Sequence, residues 1–264
     1  MPASEPPPTE ETTSTNTTPA TSPMVKLTTL VQSGKLNAAA WCVRLYLILL
    51  SVQHFFLGGA IPSFDACYKK ALIANAVVAC IRLHQRIGGN FSLSKEHLVR
   101  VTQEDSAHYL FYSIIFLLQL KSGKITLALL PITLMAVIHA VKYGYLVIEA
   151  IGTNKGRGLL NNIAHKQQSL FRIVSMTEIM LMPVILVMLV LGRANLVSPF
   201  MYYRYIQLRY NSQRNAYCRT VFYELRVQGD LYKNSPRVPA IGKKAIQMVQ
   251  DLCNKLGTPP APAQ

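Results

Sequence analysis

The sequence predicts an all-α, multi-pass helical membrane protein with interfacial amphipathic helices and disordered tails. Half of its 264 residues are hydrophobic and only 15% are charged, against about a quarter charged in soluble domains. Several apolar stretches approach the roughly 20 residues that cross a hydrocarbon core. The charges are lopsided, with 27 Lys and Arg against 12 Asp and Glu, a formal net charge of +15. Such an excess suits phosphate, which lipid headgroups and nucleic acid both offer, and the hydropathy favours lipid. The same balance excludes an ordinary cytosolic enzyme and a disordered regulator.

Residues 1–24 are mostly Pro, Thr and Ser, too polar to offset the entropy of ordering, so 1–38 reads as a disordered tail and lead-in. A short Pro-rich stretch ends the chain. No secretory signal is visible at the N-terminus, so an internal segment is expected to drive insertion. The membrane domain follows over 39–192. Its first candidate span is 43–61, opened by Trp41, an interface residue, with Arg44 near enough to that end to snorkel. Residues 71–87 place Leu72, Ala76, Ala79, Cys80, Leu83 and Ile87 at helical spacing, an amphipathic helix that stops at Gly88–Gly89.

Runs 109–120 and 125–141 are separated by Lys121-Ser122-Gly123-Lys124. Twelve helical residues rise only about 18 Å, so the pair permits either a hairpin in one leaflet or two tilted spans. The last span, 173–191, holds Pro183 and ends at Gly192-Arg193. Loop charge does not order these spans. Both 62–108 and 142–172 are basic enough to look cytosolic, although a conventional model must place one in the lumen.

Residues 193–264 form a basic region, expected to be cytosolic, with amphipathic helices over about 199–226 and 238–256. Ser198-Pro199 reads as the start of the first. Tyrosines interleave with arginines from Tyr202 to Tyr210, which suits a headgroup layer. Arg204, Arg209, Arg214 and Arg219 lie five residues apart. Each step turns a helix by about 140°, so they wrap around it. Either the helix breaks near Asn211-Ser212, or some arginines pair internally with Glu224 or with carbonyls. In the second helix Ile241, Met248, Val249, Leu252 and Leu256 share a face rimmed by Lys243 and Lys244. Such a face suits a membrane interface, a partner groove or the protein's own membrane domain.

Candidate chemistry is sparse. Glu178, inside the last span, is an intramembrane polar site by default, with Arg172 a candidate partner. Glu104 and His108 share a helical face, an acid–base arrangement, yet the segment also reads as the polar start of a helix. The histidines show no metal-binding spacing, and no phosphate loop or nucleophile motif is present. Five cysteines without a CxxC pair read as buried thiols. Catalytic residues, metal and cofactors are therefore expected to be absent. Asn16-Thr17-Thr18 and Asn90-Phe91-Ser92 are glycosylation sequons on opposite sides of the first span.

Four stretches together resemble the transmembrane protein 33 family (Krüppel homolog 2), related to a yeast pore-membrane protein. They are Ala71–Ala76 with Arg82–Arg86; Glu104–Leu110; Glu178–Pro183; and Tyr202–Tyr205 running through Leu208-Arg209-Tyr210 and Arg214-Asn215 to Tyr217-Cys218-Arg219. The resemblance implies a non-enzymatic protein of the endoplasmic reticulum membrane and nuclear envelope that helps organise the tubular network and nuclear pores. It also implies reticulon-type and nuclear pore partners, with an import receptor at the C-terminal region. From the residues themselves, anionic lipid is the expected partner and nucleic acid is disfavoured. The alternative is a small transporter or channel using Glu178 with Pro183 and His108.

Overall fold

The computed structural model describes residues 23–57, 65–88, 95–212 and 216–234, with Lys243, Gln247, Gln250 and Asp251. The expected tail over 1–22, both sequon asparagines, Arg214, Cys253, Ile241, Lys244, Met248, Val249, Leu252 and Leu256 lie outside the described residues. Among the described residues the continuous α-helices are α1 (Pro23–Ser33), α2 (Lys35–Leu57), α3 (Asp65–Ile87), α4 (Lys95–Thr102), α5 (Asp105–Gln119), α6 (Leu129–Ile151), α7 (Arg157–His165), α8 (Gln167–Val190), α9 (Val197–Asn211) and α10 (Ala216–Asn234). The expected all-α membrane class holds. Among the described residues, Lys35–Leu57, Thr126–Ile151 and Gln167–Val190 are long and apolar enough to cross a bilayer.

The long helices run alternately up and down, with α2 packed on α3 and α6, α5 on α3 and α9, and α8 on α6 and α9, so that the ends of α2, α5 and α8 meet the starts of α3, α6 and α9 at one end of the bundle. His54 Nε2 lies 3.4 Å from Thr126 Oγ1, and the Tyr68 hydroxyl donates to the Ile125 carbonyl at 3.2 Å. Gln119 joins the α5/α6 and α8/α9 turns by donating to the Arg193 carbonyl at 3.0 Å. Arg86–Glu104 and Arg172–Glu224 ion pairs, at 2.8 and 2.7 Å, mark the opposite end. The two loops that loop charge assigned alike therefore place their main basic clusters at the same end. Arg82, Arg86 and Arg100 belong there with Lys142, Lys155, Arg157, Lys166 and Arg172. The turn end carries Lys69, Lys70, Lys121, Lys124 and Arg193.

α6 continues past the expected 141 to Ile151, where Gly152 closes it. It therefore has spanning length, whereas α5 at 15 residues rises only about 22 Å. α8 runs unbroken through Pro183 and ends in a tight turn. Gly192 there adopts φ 69° while Arg193 N–H reaches back to the Met188 carbonyl at 2.8 Å, a cap that L side chains disfavour.

Several expectations change. Arg44 does not snorkel: α2 begins at Lys35, so Arg44 lies more than two turns in and is 4% exposed. Residues 24–33 of the lead-in are helical, in α1. The expected helix over 199–226 is two helices broken at Ser212, whose backbone is extended. α9 also starts one residue before Ser198. Asn195 Oδ1 accepts from Val197 N–H at its start, while the Ser198 hydroxyl turns to Gln119. Of the cysteines, Cys67 and Cys218 are buried, but Cys42 and Cys80 are exposed.

The boundary expected at 192/193 is not a packing boundary. Tyr202, Tyr205 and Ile206 of α9 join Tyr112, Ile115, Phe116, Ile179 and Leu181 in one core. Around that core an apolar surface remains, with Leu45, Leu49 and Val52 on α2, Ile73 and Val77 on α3, and Leu186 and Val187 on α8 exposed. This is the outer face a bilayer would cover.

Candidate functional site

The most concentrated polar chemistry sits where α5, α8 and α9 meet. α9 returns antiparallel beside α8, so Arg209, twelve residues after Val197, stands level with Glu178, twelve residues before Val190. Arg209 Nε donates to Glu178 Oε2 at 3.1 Å and Nη2 to Oε1 at 3.3 Å. The Tyr109 and Tyr205 hydroxyls donate to Oε1 at 3.0 and 2.8 Å. The Tyr202 hydroxyl caps the Glu178 backbone carbonyl at 2.7 Å. Arg209 Nη1 reaches Asp105 Oδ1 at 3.1 Å, and the guanidinium lies over the Tyr109 ring, 5.0 Å from its centre.

Every strong acceptor on Glu178 is therefore filled by the chain itself. In a dry interior a bare carboxylate is costly, and a paired, multiply hydrogen-bonded one persists. The arrangement acts as a latch joining three helices rather than as an open acid. Aromatic packing continues it: the Tyr112 ring lies 5.2 Å from Tyr205 and 4.7 Å from Phe116, and its hydroxyl donates to the Ala128 carbonyl at 2.7 Å. Tyr112 and Tyr68 thus satisfy carbonyls of the irregular segment before α6, which a membrane interior requires.

Each singled-out residue that lies among the described ones now has a place. Glu178 is paired with Arg209 rather than Arg172, which pairs with Glu224. Arg209 is 3% exposed and belongs to the interior, not to the surface expected for it. Tyr202 and Tyr205, read as headgroup residues, are fully buried. Arg204 and Arg219 are exposed, and Arg219 donates to the Ser212 carbonyl at 3.1 Å, one of the internal pairings the five-residue spacing allowed. Glu104 and His108 are drawn apart chemically: Arg86 holds Glu104, while His108 Nε2 lies 2.7 Å from the Thr102 carbonyl.

Lys243 is helical and half-buried. On the polar face of the same segment, Gln250 donates to the Arg226 carbonyl and to Asp230 Oδ1, and Gln247 pairs with Lys233. That polar face meets α10. Burial also pushes the Cys218 thiol of α10 up to about 12. Among the described residues no three His, Cys, Asp or Glu side chains gather to hold a metal. Sequence reasoning missed Asp105 as a latch member and Tyr109 as a donor. The signal available was a second acid beside Glu104 preceding a Tyr, at a helix start.

Comparison with known families decides the lineage. The family described as Transmembrane protein 33/Nucleoporin POM33 matches residues 19–259. The chain belongs to this family. It is 38% identical over 200 residues to Transmembrane protein 33 of Homo sapiens, covering 75% of this chain and 79% of the relative. It is 32% identical over 247 residues to Krueppel homolog 2 of Drosophila melanogaster, covering 90% and 86%. The Transmembrane protein 33 homolog of Caenorhabditis elegans is 31% identical over 199 residues, covering 74% and 72%. No solved structure matches the chain. The four stretches that carried the resemblance supply most of the latch: Tyr109, Glu178, Tyr205 and Arg209 all lie within them.

Proposed function

We propose that this family member is a non-enzymatic protein of the endoplasmic reticulum membrane and nuclear envelope that organises the tubular network and nuclear pores. It works through membrane-shaping helices and protein partners, of reticulon and nuclear pore type, with an import receptor at the C-terminal region. The observation that carries this reading is the asymmetry of the bundle. α4 and α7 lie at the basic end, α1 leads into it, and α10 packs on α8 beside it.

These short helices expose apolar side chains: Met24, Val99, Leu159, Tyr223 and Leu231 are each more than half exposed. Apolar groups inserted at one interface only expand one leaflet and favour curvature. The basic end carries the larger share of Lys and Arg and is the cytosolic one on this reading, and the C-terminus is assigned to the same side. The word nucleoporin in the family description supports the pore assignment. The rival reading, a transporter or channel built on Glu178, is disfavoured because Arg209, Tyr109 and Tyr205 already occupy that carboxylate.

The test reconstitutes the full chain into liposomes of mixed diameter and measures its sorting, alongside its location in cells. The expected result is enrichment on small, anionic vesicles and on reticulum tubules and the nuclear rim. Val99→Asp, Leu159→Asp and Leu231→Asp together are expected to abolish the sorting while insertion is kept. Equal density on all diameters, or no change with the triple variant, overturns the membrane-shaping part.

A further inference from the structure

A cavity of about 380 Å³ opens between α2, α3, α5 and α6, bordered on one side by the latch residues Asp105 and Tyr109. Asn37 and Arg44 of α2, Arg82 of α3, and His139, Lys142 and Tyr143 of α6 line it. Arg44 is nine-tenths buried and, among the described residues, has no carboxylate at ion-pair distance. Arg82 Nε and the Tyr143 hydroxyl are buried without a hydrogen-bond partner. The acids nearby are committed elsewhere. Asp105, on the wall, is held by Arg209, and the neighbouring Arg86 is held by Glu104. Leu47, Val78, Met135 and Leu146 give one part of the wall an apolar surface.

Like charges gathered in a half-dry cavity whose wall carboxylate, Asp105, is already taken by Arg209 repel one another and are costly to desolvate. An anion that brings several oxygens relieves both costs, and planar guanidinium groups match phosphate in particular. We propose that this cavity binds a phosphate-bearing anion, supplied by the headgroup of an anionic phospholipid whose acyl chain lies along the apolar wall. Two features favour a lipid source. The cavity sits between α2 and α6, helices of spanning length, and the apolar wall has no use for inorganic phosphate.

A built-in reporter makes the test direct. Trp41 is the sole tryptophan of the chain. Its ring lies 5.5 Å from Tyr143 on the cavity wall, and its indole N–H is fixed on the Ala140 carbonyl at 3.0 Å. The full chain in detergent is titrated with acyl-brominated phosphatidic acid, with phosphatidylcholine of the same acyl chains, and with inorganic phosphate as competitor.

The expected result is quenching of Trp41 by phosphatidic acid at about tenfold lower concentration than by phosphatidylcholine. Arg44→Gln with Arg82→Gln is expected to erase that preference, while Lys124→Gln at the turn end leaves it intact. Equal quenching by both lipids in the wild-type chain overturns the proposal without any variant. So does an undiminished preference in the double variant. Should millimolar phosphate displace the lipid completely and bind as tightly alone, the phosphate site stands and its lipid source is excluded.

Discussion

Arg209 Nε and Glu178 Oε2 lie 3.1 Å apart across the α8/α9 hairpin, with 4% and 1% of their side chains exposed. Removing Arg209 leaves Glu178 buried without a counter-charge, which costs about 3–5 kcal/mol, whereas removing Glu178 leaves Arg209 the part-exposed Asp105 as its remaining partner and costs less. Arg209→Met is expected to lower the unfolding free energy in detergent by that order, and Glu178→Gln by less. The double variant Glu178→Gln with Arg209→Met is expected to lose less than the sum of the two. A double-mutant cycle that comes out additive would show that the two side chains do not couple.

The two turns at the far end touch at backbone distance. A Cβ added to Gly123 would sit 2.7 Å from the Arg193 carbonyl oxygen, whereas one added to Gly158 meets nothing within 4 Å. Gly123→Ala must push the α5/α6 and α8/α9 turns apart, an overpacking cost of about 1–3 kcal/mol. Gly158→Ala, inside α7, removes a helix-disfavouring residue and is expected to be neutral or stabilising by up to about 1 kcal/mol. Thermal unfolding of the two variants side by side separates close approach from glycine content.

Thiol reactivity reports packing of α10. With its thiol near 12, only about one Cys218 in ten thousand is ionised at pH 8, and burial blocks access besides. In a Cys253→Ser background in detergent, N-ethylmaleimide is expected to reach Cys42 and Cys80, on the outer faces of α2 and α3, before Cys67 and Cys218, which are spared until denaturant is added. The sign for stability follows. A raised thiol pKa favours the folded form while the group is neutral, so this contribution is complete below about pH 9 and is lost as pH rises toward 12. Rapid labelling of Cys218 in the folded protein would contradict the docked α10.

Turns gathered at one end make a topology prediction. With the basic end in the cytosol, Asn90, two residues past Gly88, and a sequon added after Gln264 both stay unmodified in microsomes. A long flexible insert carrying a sequon at Ser122 is expected to be glycosylated. A glycan on Asn90 reverses the orientation or breaks the α2/α3 hairpin.

What the sequence determined by itself is what local pattern encodes. Apolar runs of about 20 residues marked α2 and α8, helical spacing marked α3, and the four family stretches marked the lineage. The break after Asn211 was one of two outcomes that the spacing of Arg204, Arg209, Arg214 and Arg219 allowed, and internal pairing was the other. Both occur, because α9 turns inward and buries one arginine of the set. Tertiary structure alone decided which arginine that is. Glu178 is 6 residues from Arg172 and 31 from Arg209, so proximity in sequence favoured the wrong partner, and only the α8/α9 turn brings the right one level.

Arg44 shows the same limit. Its place near the end of an apolar run read as exposure, but α2 begins earlier than the apolar run does, and α3 and α6 close over it. Which end of each helix faces which neighbour depends on turns that carry little apolar signal. The hydrogen bonds of Gln119, Tyr68 and His54 hold those turns together. Helices are legible from periodicity, whereas the pairing of polar groups between them is set by packing, and the latch and the cationic cavity both consist of such pairings.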